Sequence, residues 1–200
     1  GKQHTEVMNG LDTGVFYPRE GGAVKSELGI ADEKIIFHVT PNFNNDPDYI
    51  KGGYYIIKLA EMLKGENVKI IAAGSYPENL KVPDNILLLG KVSDQNRLAE
   101  LYSMADITVI ASKRETFSMV CAESLCCGTP VAGFKAGGPE AISLDKYSRF
   151  VDYGDLKSLY TAVNDLLREA RNGEKISKDA SAAYGSRVMS ENYINIYRSF

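Results

Sequence analysis

The sequence predicts an α/β fold, a doubly wound parallel sheet with helices on both faces. Three observations predict it. Short apolar runs recur along the chain and are nearly continuous rather than alternating, as strands covered on both faces must be. Segments of helical period separate them, and a strand–helix–strand succession closes most readily as right-handed parallel crossovers. Finally, 200 residues with 44% hydrophobic and 24% charged side chains suit one well-filled domain.

In chain order, strands are expected at 34–40 (KIIFHVT), 67–73 (NVKIIAA), 85–90 (NILLLG), 106–111 (DITVIA) and 130–134 (PVAGF), with a shorter one at 149–152. Helices are expected at about 51–65, 94–104, 118–127 and 155–171. In the first, Tyr55, Leu59, Met62 and Leu63 form the apolar stripe, with Lys58, Glu61 and Lys64 outside it. Ser93 and Asp94 precede Leu98, Leu101 and Tyr102, a capped helix start. The tail from 174 reads as helical, with Tyr193, Ile196, Tyr197 and Phe200 on one stripe. Residues 41–50 (PNFNNDPDYI) form the longest polar irregular stretch. Residues 1–200 therefore read as a single domain.

Composition removes several function classes. A net charge of -3 leaves no basic footprint for nucleic acid. No apolar run reaches the roughly 18 residues that span a bilayer. The opening GKQHTEVMNG lacks the apolar core of a signal peptide and reads either as a trimmed start or as a linker from an upstream segment. Cys121, Cys126 and Cys127 crowd one predicted helix, an odd set that fits buried thiols in a reducing compartment. His4 and His38 are the only histidines, so neither a zinc site nor a hydrolytic triad takes shape. No G-x-G-x-x-G opens a helix and no Walker A sequence appears. Asp46-Pro47-Asp48 has the D-x-D spacing of a metal-binding pair, but in a Pro-containing polar loop turn formation is the commoner role.

Parallel sheets bind ligands beyond the carboxyl ends of their strands, where helix N-termini point. The loops at 40–51, 74–84, 90–93 and 112–118 lie there, and the last carries the strongest signal. It leads into a helix that is almost wholly apolar or small, with Glu123 as its only charge. A carboxylate so placed costs several kcal/mol unless it is paired or hydrogen-bonded. A core Arg or Lys is one partner for Glu123, and solvent one for Glu115. The functional alternative joins them. The amides of Phe117, Ser118 and Met119 at the helix start attract phosphate, and Glu123, one turn in, accepts hydrogen bonds from a diol such as ribose.

The stretch ETFSMVCAE resembles the E-x7-E motif of retaining glycosyltransferases of the GT-B fold, family four (glycosyl transferases group 1). AESLCCGTPVAGFKAGGPEAI and MNGLDTGVFYP extend the likeness over about residues 7 to 142. The resemblance implies the Rossmann-like C-terminal half of a GT-B fold, with the acceptor domain upstream. It implies that Glu123 binds the ribose, that Glu115 contacts the transferred sugar, and that the amides of Phe117, Ser118 and Met119 hold the diphosphate. Lys51, in Lys51-Gly52-Gly53, would neutralise the phosphates and act with Glu115 in catalysis. Gly90-Lys91-Val92 would hold the base, with Lys91 and Val92 as donor contacts. The implied donor is a UDP-, GDP- or ADP-sugar, with no metal or other cofactor. The implied acceptor is a glycan or lipid-linked sugar of bacterial surface polysaccharide, met in the cytoplasm or at the inner membrane face.

Two departures from the family pattern stand out. Where the family carries a diphosphate-binding Arg, this chain has Pro41-Asn42-Phe43-Asn44, which makes Asn42 a donor-binding candidate and Lys113 or Arg114 possible substitutes. The family's Gly after the motif's Phe is Ser118. A GT-B sugar-nucleotide epimerase and a non-catalytic regulatory domain are the alternative readings. The closing helix, about 186–200, is expected either to cross to the upstream domain through Tyr193, Tyr197 and Phe200 or to pack on its own sheet.

Overall fold

Every strand of the sheet runs parallel to its neighbours, in the order β3-β2-β1-β4-β5-β6. The computed structural model describes residues 7–198. In chain order the elements are α1 (Gly22–Glu27), β1 (Lys34–Asn42), α2 (Gly53–Met62), β2 (Val68–Ser75), β3 (Ile86–Gly90), α3 (Gln95–Met104), β4 (Ile107–Ile110), α4 (Met119–Cys126), β5 (Val131–Phe134), α5 (Gly138–Ile142), β6 (Ser148–Val151), α6 (Leu156–Arg168), α7 (Gly173–Tyr184) and α8 (Ser186–Arg198).

The unbroken apolar runs are shared between two cores. Ile35 and Phe37 of β1 point to one face and join Tyr102, Leu125, the three cysteines and Tyr184. Ile36 points to the other, with Ile56 and Leu59 of α2 and Val163 and Leu167 of α6. Successive strand residues face opposite sides, so a strand buried on both must be apolar throughout. On α2 the buried stripe is Ile56, Ile57, Leu59, Ala60 and Leu63; Met62, expected on it, is exposed.

β1 runs two residues beyond its expected end, reaching Asn42 opposite Ser75 after a register shift that begins past Val39. Pro41 lies inside the shift and has no N–H to offer the ladder. Asp94 caps α3 by accepting from the Asn96 amide at 2.9 Å. Two short helices, α1 and α5, were not expected. The helical tail divides at Gly185, and α7 docks against α4 whereas no residue of α8 is buried. Tyr197 is 77% exposed; Phe200, expected beside it, lies outside the described residues. Arg171 ties the lower end together, its guanidinium donating to the carbonyls of Gly128, Ala105 and Ser103.

Strand order reverses between β1 and β4, the switch point at which helices leave the sheet in opposite directions and open a crevice at the strands' carboxyl ends. The loops after β1 and β4 meet there.

Candidate functional site

A cleft of about 660 Å³ lies over this switch point. Its walls include Lys51, Lys91, Val92, Glu115, Phe117, Ser118, Met119 and Glu123, so one cavity gathers eight of the nine residues named from the sequence. Asn42 does not line it. The cleft wall at the end of β1 is Thr40 and Pro41 instead, and the Asn42 carbonyl accepts from the Thr40 hydroxyl at 3.1 Å. Lys113 and Arg114 are not on the wall either, and the Lys113 ammonium sits 5.8 Å from the centre of the Tyr153 ring. Among the described residues, the cations lining the cleft are Lys51 and Lys91.

Lys51 is placed by the turn that starts α2. Gly52, the N-cap, has φ 72, and its amide donates to the Tyr49 carbonyl at 3.0 Å. From there the Lys51 ammonium reaches Glu115 Oε1 at 2.7 Å, and the Ser112 hydroxyl donates to the same oxygen at 2.8 Å. Glu115 is thus ion-paired, but inside the cleft and with the other candidate residue. Its backbone is held by the Gly-Gly-Pro-Glu segment. The Glu115 amide donates to the Ala136 carbonyl at 2.9 Å, and the Gly138 amide donates to the Glu115 carbonyl at 3.0 Å. Gly138 is required by contact: a Cβ would stand 2.7 Å from the Thr116 carbonyl. Glu140 accepts from the amides of Gly137 and Ala136 at 2.8 and 2.9 Å. Burial raises its pKa, but these amide donors outweigh burial and hold it below the usual value.

Glu123 is held by a tyrosine, not by the core Arg or Lys considered from the sequence. The Tyr102 hydroxyl donates to Glu123 Oε2 at 2.9 Å. Burial raises the Glu123 pKa and this hydrogen bond opposes the rise. Burial, then the neighbouring Glu123 charge, lifts Tyr102 well above its ordinary value, so the phenol stays a donor. Tyr102 and Glu123 lie on different helices 21 residues apart, and no local pattern links them.

The start of α4 faces the same space. No acceptor among the described residues meets the amides of Phe117, Ser118 or Met119. Helix geometry leaves such groups open, and the aligned peptide dipoles make the end electropositive. Ser118, the N-cap, stands at φ 72 and ψ 78 and makes no side-chain capping bond.

Gly74 and Ser75, inside the 74–84 stretch expected at the ligand edge, stand at the end of β2 and join the wall, and Asn9, which sequence reasoning did not name as a contact, joins it too. Asn9 arrives because Leu11 is stitched to the junction of α7 and α8, its amide donating to the Tyr184 carbonyl at 2.7 Å and its carbonyl accepting from the Ser186 amide at 2.8 Å. Gly74 sits so near β1 that a Cβ would meet the Thr40 carbonyl oxygen at 2.2 Å. Asp46 and Asp48 form a turn, with the Asp48 amide donating to Asp46 Oδ1 at 2.9 Å. No group of three or more His, Cys, Asp or Glu residues gathers as metal ligands among the described residues, and no helix among them is long and apolar enough to cross a membrane.

The family described as glycosyl transferases group 1 matches residues 25–183, and both carboxylates, Lys51 and the α4 start fall inside that span. The chain belongs to this family. Among its curated relatives is the N-acetyl-alpha-D-glucosaminyl L-malate synthase of Bacillus anthracis, 27% identical over 205 residues that cover 96% of this chain and 52% of the relative. Among solved structures, Anabaena HepE in complex with UDP superposes with a TM-score of 0.79 at 18% identity, covering 97% of this chain and 57% of that one. The C-terminal domain of the group 1 glycosyl transferase LpcC from Francisella tularensis gives a TM-score of 0.68 at 21% identity, covering 92% of this chain and 98% of that domain. The fold is therefore that of a GT-B C-terminal half, and the chain spans about half the length of the curated relative.

Proposed function

We propose that this chain is the donor-binding half of a retaining glycosyltransferase that takes a sugar from a nucleoside diphosphate. One observation carries the reading: a single cleft at the switch point holds Glu115, Glu123, Lys51 and the open start of α4. Glu123, steadied by Tyr102, accepts from the ribose diol. The α4 amides and Lys51 face the diphosphate, where negative charge develops as the sugar–phosphate bond breaks. Preformed donors there stabilise that charge without reorganising. Glu115 serves the transferred sugar, and Lys91 and Val92 the base. Charge compensation falls to side chains and helix dipole, without a metal.

UDP is the first donor to test, because structures of Anabaena HepE, which shares the fold, contain UDP and UDP-glucose. The acceptor, a glycan or lipid-linked sugar of bacterial surface polysaccharide, is assigned to an upstream domain that α8 contacts through Tyr193 and Tyr197. Peripheral membrane association of the longer protein belongs to the same reading. A non-catalytic binding domain is the second reading, and the absence of an arginine among the residues lining the cleft favours it.

Calorimetric titration of this chain with UDP, GDP and ADP tests the proposal. Weak binding of one nucleotide without sugar transfer is the expected result. A folded sample that gives no heat with any of the three refutes it.

A further inference from the structure

Ser118 combines two features that a glycine at the same position would avoid. It is the one non-glycine residue with positive φ among the described residues, and its hydroxyl is buried without a hydrogen-bond partner. Left-handed backbone is strained for any side chain, and such strain collects at functional sites because something else holds it in place. A serine at a helix start ordinarily accepts from an amide of the first turn. Here it does not, so the hydroxyl is left buried and unpaired in a residue that lines the cleft, beside the open α4 amides. The residue is only 6% exposed, so bulk water does not take the place of the missing partner.

The charge in the cleft makes a neutral donor useful at this point. Lys51 gives one of its donors to Glu115, and among the described residues no arginine stands on the wall. A ligand with several anionic oxygens at the start of α4 therefore has fewer side-chain donors than it has oxygens to satisfy.

We infer that the Ser118 hydroxyl donates a hydrogen bond to a diphosphate oxygen of the donor nucleotide and selects the diphosphate over the bare nucleoside. The inference rests on the donor-binding reading above and adds to it a side-chain contact beyond the helix amides. The hydroxyl is an unmet donor in the free protein and becomes satisfied only when phosphate arrives.

The test compares wild type with S118G, which accepts φ 72 without strain, and S118A, which lacks the hydroxyl but keeps a Cβ. Calorimetry measures affinity for whichever of UDP, GDP and ADP the wild type binds, and a nuclear magnetic resonance titration measures affinity for the matching nucleoside. Both variants are expected to bind the diphosphate roughly tenfold or more weakly, as loss of a hydrogen bond to a charged group implies, with the nucleoside unchanged. S118G is also expected to melt at a higher temperature than wild type, so its weaker binding would not be loss of fold. Diphosphate affinity in S118G equal to or above wild type overturns the inference while leaving the donor-binding reading intact, and so does a loss seen in S118A alone. Wild type that binds none of the three nucleotides overturns both.

Discussion

Two glycines with left-handed backbone allow the steric part of the fold near Lys51 to be isolated. Gly52 has φ +72, and a Cβ there would stand 2.0 Å from the Ala111 carbonyl oxygen and 2.7 Å from its carbon. Gly65 has φ +90 and nothing within 4 Å of the same atom. Alanine at either position takes on the left-handed strain, about 1–2 kcal/mol. At Gly52 it also drives the start of α2 off the end of β4. The contacting atoms are the backbone of Ala111 and its Cβ, none of which can swing aside, so a further cost of about 1–3 kcal/mol is expected, as for overpacked cores. G65A should therefore lose about 1 kcal/mol and G52A about 3 kcal/mol. For a domain of this size the G52A loss corresponds to a fall of roughly 6–12 °C in Tm. Urea denaturation followed by circular dichroism gives both values, and titration with whichever of UDP, GDP and ADP the wild type binds should show weakening in G52A alone, because Lys51 moves with the turn. Equal destabilisation by the two substitutions would refute the claim that close approach to β4, and not backbone conformation alone, demands glycine at 52.

Glu123 supplies a pH-dependent test. Burial raises its folded-state pKa above the ordinary glutamate value of 4.5. Stability linked to this group is therefore complete below about 4.5 and is lost as pH rises through the raised folded value. E123Q removes that linkage and keeps an acceptor for Tyr102, so E123Q should gain stability relative to wild type as pH rises from 4.5 towards neutrality while nucleotide binding falls sharply. Denaturation midpoints that run parallel for the two proteins between pH 4 and 7.5 would count against it. The cysteines give a simpler check. Burial pushes Cys121, Cys126 and Cys127 up to about 12, and none is solvent-accessible. Ellman's reagent at pH 8 should find no reactive thiol in the folded chain and three after denaturation.

Much of the fold was legible because burial on both faces of a sheet leaves a mark in one dimension. The runs at 34–40 and 67–73 are nearly continuous apolar stretches, as strands covered on both faces require. The α4 segment was legible for a related reason: one charge in an apolar helix, preceded by a second carboxylate in a loop, marks polar chemistry at a ligand edge. The two-residue overrun of β1, the break at Gly185 and the helices α1 and α5 were not, since short elements are decided by contacts that periodicity does not carry. Asn42, expected in the loop after β1, is the last residue of the strand and does not line the cleft. The strand continues past Pro41 by a register shift, and the cleft at that end is walled by Thr40 and Pro41.

The sequence alone determined the sheet, its two apolar cores, the family, and which loops could bind a ligand, because those follow from residue type and spacing along the chain. Only tertiary structure decided that Tyr102 holds Glu123, that Lys51 meets Glu115, and that Asn9 and Gly74 complete the wall. Each of these joins residues from separate elements. Their partnership depends on how crossovers bring strand ends and helix starts together, and distance in space leaves no trace in the local order of residues.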